Sequence, residues 1–238
     1  MKRSRLFAFV ALLVVLPTAL AGQVGNDPSH SPYHDILHGN GWTVLAGQVY
    51  GDGGPLRLSP HSGASLGVRY DVRFSRLLQG FVSVSHLALE RAILNPDDSI
   101  VHRYSGPIDQ PLWTPEVGIQ VNVSGAKNWR GIAPFVAVSM GAVFGPDEAS
   151  DTTGFVFGSK LLLSPTAGLR YYVSDRLHVR LEGQMLYWKM KYPSTWTLEP
   201  AAQPSNPGEP TTAPVKSVAD LSDWIPTGAL RLGIGFSF

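Results

Sequence analysis

The chain has 238 residues, of which 25 are glycine, 19 proline and none cysteine, and only 16% are charged, 19 basic against 18 acidic. This length suits one domain. The balanced charge excludes a basic nucleic-acid surface, and without cysteine an exported fold has no disulfides to support it.

The N-terminus carries an address. Lys2, Arg3 and Arg5 precede an apolar run from Leu6 to Leu16, and Ala19-Leu20-Ala21 sets small residues at both key positions before Gly22. That order reads as a secretory signal peptide over residues 1–21, cleaved after Ala21. The run is shorter than the roughly 20 residues of a spanning helix, and no later segment supplies one. Cleavage removes three basic residues, leaving 19 − 3 = 16 against 18 acids, a mature formal charge of −2. Residues 22–40 read as a periplasmic N-terminal segment, a lid or tether. Its His30, His34 and His38 recur every four residues, a spacing that on one helix face suits a metal. Pro32 interrupts the series, however, and Ser31-Pro32 to Gly39 reads as the start and stop of a short helix holding only His34 and His38. No metal or other cofactor is expected.

Eight strands follow. Gly41 to Tyr50 allows either phase. In Ser62 to Ser75, Ala64, Leu66, Val68, Tyr70, Val72 and Phe74 alternate with Ser65, Gly67, Arg69, Asp71 and Arg73. Successive side chains of a strand point to opposite faces, so one face is apolar and the other small or polar. Phe81 to Arg91 starts with Val82 and Val84 on one face and moves to Leu87 and Leu89 on the other, as a bulge near Ser85 or a reversed phase would produce. Trp113 to Val123, Ile132 to Phe144, Lys160 to Val173, Leu177 to Tyr192 and Trp224 to Phe238 return to plain alternation. Between strands, the long connections Gly51–His61, Ile93–Pro111, Gly145–Gly158 and Pro193–Asp223 alternate with the short Arg76–Gln79, Ser124–Gly131 and Ser174–Arg176. Transmembrane barrels show this asymmetry, short turns being periplasmic and long loops extracellular. An eight-stranded antiparallel up-and-down transmembrane β-barrel over residues 41–238 is therefore expected. A soluble lipocalin-like barrel shares the strand count but packs its apolar face inwards.

The tryptophans follow the same scheme. Trp42, Trp113, Trp188 and Trp224 fall at or near strand ends, Trp129 in a turn and Trp196 in the last long loop, as interfacial girdles require. With the apolar face on lipid, the lumen receives Arg69, Asp71, Arg73, Glu116, Gln120, Asn122, Arg170, Tyr172, Arg180, Glu182, Gln184 and Arg231. Eight strands leave an interior just wide enough for side chains to fill, and unpaired buried charge is costly. Arg69, Arg73, Arg180 and Arg231 are thus expected to converge with Asp71, Glu116 and Glu182 in one network, and because arginines outnumber acids on this face some must bond to Gln, Asn, Tyr or trapped water. A polar path for a small solute is the alternative.

Catalysis has a weaker case. Acyl hydrolysis needs Ser, His and an acid within mutual reach. The nearest cluster is Ser83, Ser85, His86 and Glu90, but Ser85 and His86 point to opposite faces of a regular strand. The last long loop, rich in proline from Glu199 to Pro210, is unlike helix or sheet and reads as extended.

The last nine residues close the reading. Leu230, Leu232, Ile234, Phe236 and Phe238 alternate with Arg231, Gly233, Gly235 and Ser237. A strand ending on phenylalanine resembles the assembly signal of bacterial outer-membrane barrels, which assigns Phe236 and Phe238 to it. By alternation, loop asymmetry and this ending, the chain resembles the small outer-membrane barrels typified by the OmpA transmembrane domain, OmpX and OmpW. That resemblance implies a monomer in the outer membrane of a Gram-negative bacterium, with outer-membrane lipids and the barrel-assembly machinery as partners. It implies a structural, surface-interaction or porin-like role, and no catalytic motif carries over. His86-Leu-Ala-Leu89 departs from the His-x-Ser-Asn of lipid A deacylase barrels.

Overall fold

The computed structural model describes residues 31–146, 151, 153–198, 214–215 and 221–238. The signal sequence, His30 and most of the proline-rich loop lie outside these. Ten strands are present among the described residues: β1 (Tyr33–Asp35), β2 (Gly41–Tyr50), β3 (Ser62–Arg73), β4 (Leu78–Leu94), β5 (Tyr104–Asn122), β6 (Lys127–Trp129), β7 (Ile132–Phe144), β8 (Ser159–Tyr172), β9 (Leu177–Lys191) and β10 (Ser222–Ser237). Eight of them form a closed antiparallel ring, β2-β3-β4-β5-β7-β8-β9-β10 and back to β2. β1 and β6 pair with each other below it, Tyr33 opposite Trp129.

Closure is complete along the seam. β10 meets β2 from Gly228↔Tyr50 to Ser237↔Gly41, and the Phe238 amide donates to the Asn40 carbonyl at 2.9 Å. Backbone groups in hydrocarbon have no water to bond, so a ring without edges is what a lipid environment demands of strands. Gly47 lets the seam close: a Cβ there would lie 2.1 Å from the Leu230 carbonyl oxygen.

The wall follows the alternation. Val117, Ile119, Val136, Val138, Leu169, Leu181, Leu232 and Ile234 project outwards and exposed, while Arg69, Glu116, Gln120, Arg180 and Glu182 project inwards and buried. From Trp113 on β5 to Val123 just past its end, the outward side chains are apolar without interruption. The ten steps between them, at about 3.3 Å each and a tilt near 40°, give a band roughly 25 Å tall, the height of an outer-membrane hydrocarbon zone. At its short-turn rim stand Trp42, Tyr70, Phe74, Tyr171, Phe236 and Phe238, with Trp42 and Tyr70 rings 4.5 Å apart and Tyr70 stacked on Phe238 at 6.5 Å. No helix among the described residues is long and apolar enough to cross a membrane.

Four expectations need correction. Residues 32–39 form no short helix: Tyr33–Asp35 is a strand, because pairing with β6 satisfies its backbone. β4 has no bulge at Ser85; its register with β5 runs unbroken from Leu78↔Val121 to Arg91↔Ile108 and shifts only between Arg91 and Ile93. β4 and β5 also extend far beyond the expected ends, so Trp113 is mid-strand and the loop shrinks to Asn95–Arg103. Finally, Trp188 and Trp196 do not join a girdle. They are 0% and 1% exposed, inside the barrel mouth, and Trp196 arrives there on a 3-10 turn, Ser194–Thr197, where an extended loop is expected.

Candidate functional site

The interior is built in two tiers, and β9 displays both. Its inward side chains run His178, Arg180, Glu182 and Gln184, then Leu186, Trp188 and Met190, all buried. Its outward side chains run the other way, apolar from Leu177 to Tyr187 and then Lys189 and Lys191. The same inversion explains β4: Val82 and Val84 face lipid, while Leu87 and Leu89 face the upper lumen.

The lower tier holds the charges. Arg69 donates from Nε and Nη2 to Asp71 Oδ1 at 2.9 and 2.8 Å, and from Nη2 to Gln120 Oε1 at 2.8 Å. Arg170 Nη2 reaches the same two acceptors at 3.3 and 3.2 Å. Gln120 passes the chain on through its own amide to Gln79 Oε1 at 3.0 Å and Asn122 Oδ1 at 2.7 Å. A second cluster centres on Glu182, which accepts from Arg180 Nε on one oxygen and from Arg231 Nε at 2.9 Å on the other. Aromatic rings cover the cations: the Arg69 guanidinium lies 3.4 Å from the Phe81 ring centre and that of Arg180 4.0 Å from Phe135. Such contacts offset part of the lost hydration of a buried cation.

A single network is not what forms. Glu116 stands apart, accepting from Ser139 Oγ at 2.7 Å and Gln184 Nε2 at 3.1 Å. Arg73 turns away to the short-turn mouth, donating to the carbonyls of Ile36 at 2.9 Å and His38 at 2.7 Å. The physical reason is spacing along the strand. Arg73 is two inward positions below Arg69, beyond the last ring of carboxylates, and its nearest acceptors are the backbone of the N-terminal segment. With Ile36 buried beneath the barrel and its amide donating to Ala126 O at 2.7 Å, residues 36–40 form a strap across that mouth.

The upper tier is a largely apolar core. Leu87, Leu89, Leu112, Leu162, Leu186, Trp188, Met190 and Ile225 from the strands pack with Leu58, Phe155, Phe157 and Trp196 from the loops. Trp196 stacks between Phe155 and Tyr192 at 6.0 and 6.1 Å, and Trp188 Nε1 donates to Ser59 Oγ at 2.7 Å. Arg91, pinned by Gln110 Oε1 at 2.9 Å, forms a buried ion pair of 2.8 Å with Asp151 and so ties the loop after β7 into the mouth. Burial and the neighbouring Asp223 carboxylate raise the Tyr192 phenol above its ordinary range.

Sequence reasoning missed several participants. His178 lies within 3.4 Å of both Thr43 Oγ1 and Ser237 Oγ, at the base of the closing seam. Gln79, Ser139, Phe81 and Phe135 also line the lower tier, and their inward phase was the available signal. The hydrolase-like cluster is not assembled. Ser85 is buried within 3.4 Å of Arg231, whereas the His86 ring lies outside, edge-on to Trp113 at 4.8 Å.

A closed, eight-stranded antiparallel transmembrane β-barrel is the class this architecture defines. No family model and no curated protein matches the sequence. Among solved structures it is similar to Neisserial surface protein A (11% identity, 87% of this chain and 98% of that one, TM-score 0.49). It is also similar to the outer-membrane protein OprG from Pseudomonas aeruginosa (12%, 87% and 99%, TM-score 0.49). The N-terminal β-barrel domain of Pseudomonas aeruginosa OprF follows (11%, 84% and 99%, TM-score 0.45). All three scores are below 0.5; the barrel rests on its own strand pairings.

Proposed function

We propose that this chain is a non-conducting, non-enzymatic barrel of a Gram-negative outer membrane, with a structural or surface-interaction role. In this reading residues 1–21 direct export, Phe236 and Phe238 are read by the barrel-assembly machinery, and the monomer is the working unit. The apolar belt, its aromatic rim and the short-turn, long-loop asymmetry support the outer membrane. The observation that carries the absence of transport is the apolar upper tier. A polar solute leaving the ion pairs of the lower tier meets Leu186, Trp188, Met190 and Trp196, while the charged groups of the upper tier, Arg91 and Asp151, are already paired with each other. Crossing that layer means stripping hydration without replacement, which costs several kcal/mol per polar group.

Reconstitution in planar bilayers tests this. The folded protein is expected to leave the bilayer silent, and discrete, ion-selective conductance steps would favour the narrow pore. Lipid A mass spectra with and without the expressed protein are expected to be identical; a new acylation pattern would establish the lipid-modifying alternative.

A further inference from the structure

Below the ring, the β1–β6 flap leaves a groove of about 660 Å³ between itself and the outer wall. Its floor is Leu77, Val123 and Ile132, at the periplasmic ends of β4, β5 and β7, and its sides are the rings of Tyr33 and Trp129. Lys127 stands on its polar rim, exposed, with no ion-pair partner among the described residues. Asp35 is its cross-strand neighbour and is also exposed. Arg130 lies over the Trp129 ring at 5.3 Å and adds positive potential beside the rim.

From this geometry we propose that the groove is a binding site for one phosphoethanolamine-type glycerophospholipid of the periplasmic leaflet. The proposal rests on the reading of the chain as an outer-membrane barrel. The floor is continuous with the lipid-facing wall, since Leu77 and Val123 are among its exposed apolar residues. An acyl chain lying there therefore stays in hydrocarbon while its headgroup reaches the flap. Aromatic side chains favour this headgroup layer. The phosphate lies at Lys127 and the headgroup ammonium at Asp35, so the unpaired cation and its acidic neighbour each receive a counter-charge. A lipid with one negative charge and no ammonium satisfies Lys127 alone and meets Asp35 with repulsion.

Native mass spectrometry of the full-length folded protein, delipidated and then offered phosphatidylethanolamine or phosphatidylglycerol, reads this directly. The expected result is a one-to-one adduct with phosphatidylethanolamine, held about tenfold more tightly than phosphatidylglycerol. Trp129→Ala and Lys127→Glu should each lose about tenfold in that affinity, with unchanged heat-modifiable gel mobility, while Trp113→Ala on the opposite rim should retain the adduct. Removing residues 22–30 should leave binding unchanged. Equal retention by wild type and Lys127→Glu would overturn the site in favour of ordinary annular lipid. A large gain on removing residues 22–30 would overturn it in favour of the chain's own N-terminal segment as occupant. Failure of the outer-membrane reading looks different, since the protein would then lack heat-modifiable mobility and leave the membrane fraction in alkaline carbonate.

Discussion

Glu182→Ala is the sharpest probe of the lower tier. Glu182 is 1% exposed and holds two guanidinium groups, Arg180 and Arg231. The tier contains four arginines, Arg69, Arg170, Arg180 and Arg231, against the three acids Asp71, Glu116 and Glu182. Removing one acid leaves four against two, with both orphaned cations walled in by β9 and β10. Breaking a buried pair costs about 3–5 kcal/mol, because the surviving charge keeps its desolvation penalty. Glu182→Gln leaves the same charge imbalance and, because Arg180 and Arg231 bond to different carboxylate oxygens, turns one acceptor into a donor; it keeps a bond to only one arginine and should cost nearly as much as the alanine. The apolar triple Arg180→Met, Glu182→Leu, Arg231→Met removes cost and gain together and should be neutral or stabilising by about 1–4 kcal/mol. Urea titration of the refolded barrel in phospholipid vesicles, followed in both directions by tryptophan fluorescence, gives these differences, provided the slopes agree. A Glu182→Ala loss below about 1 kcal/mol would refute the reasoning, for it would mean that water reaches the cluster and screens it.

Ile119→Arg, on the lipid face at mid-band, should cost roughly 2–4 kcal/mol in the same titration, and a spin label there should be quenched by oxygen in preference to polar reagents. Trp188→Ala empties the centre of the upper tier and should cost about 3–5 kcal/mol, without opening conductance in planar bilayers, since Leu186, Met190 and Trp196 still close the mouth. Deleting Phe238 removes its stacking on Tyr70 and its bond to Asn40. Heat-modifiable protein in membrane fractions should fall further than on removal of residues 200–214; equal yields would end the assembly-signal reading.

The barrel was legible because a wall with lipid on one side and a filled lumen on the other imposes period-two patterning. Strand β7 occupies Ile132–Phe144, the bounds its alternation predicts. Where the pattern faltered, at Ser85, the cause was the reversal of polarity between tiers, which turns the inward face of β4 apolar without moving its register. A reader of periodicity sees two phases where the chain has one. Trp188 was misplaced for the same reason: near a strand end, an indole facing lipid headgroups and one facing an apolar plug look alike. Partner choice in the lower tier was not legible either. Alternation places Arg73 and Glu116 on the inward face, but the height of each around a tilted ring decides that Arg73 binds the strap and Glu116 binds Ser139 and Gln184.

The length of β4 has a mechanical consequence. Its 17 residues, at about 3.3 Å each and a tilt near 40°, rise some 40 Å. That exceeds the apolar band by roughly 15 Å, and the apolar upper tier fills this part of the lumen from within. The outer segment is therefore a stiff collar standing clear of the hydrocarbon, braced from within much as a water-soluble domain is. Loops mounted on it start their reach above the headgroups, and bending at the membrane surface cannot lower them. Shortening β4 and β5 in step by two residues each should lower that platform and bury loop epitopes within the lipid headgroup layer, while leaving the membrane-embedded ring unchanged.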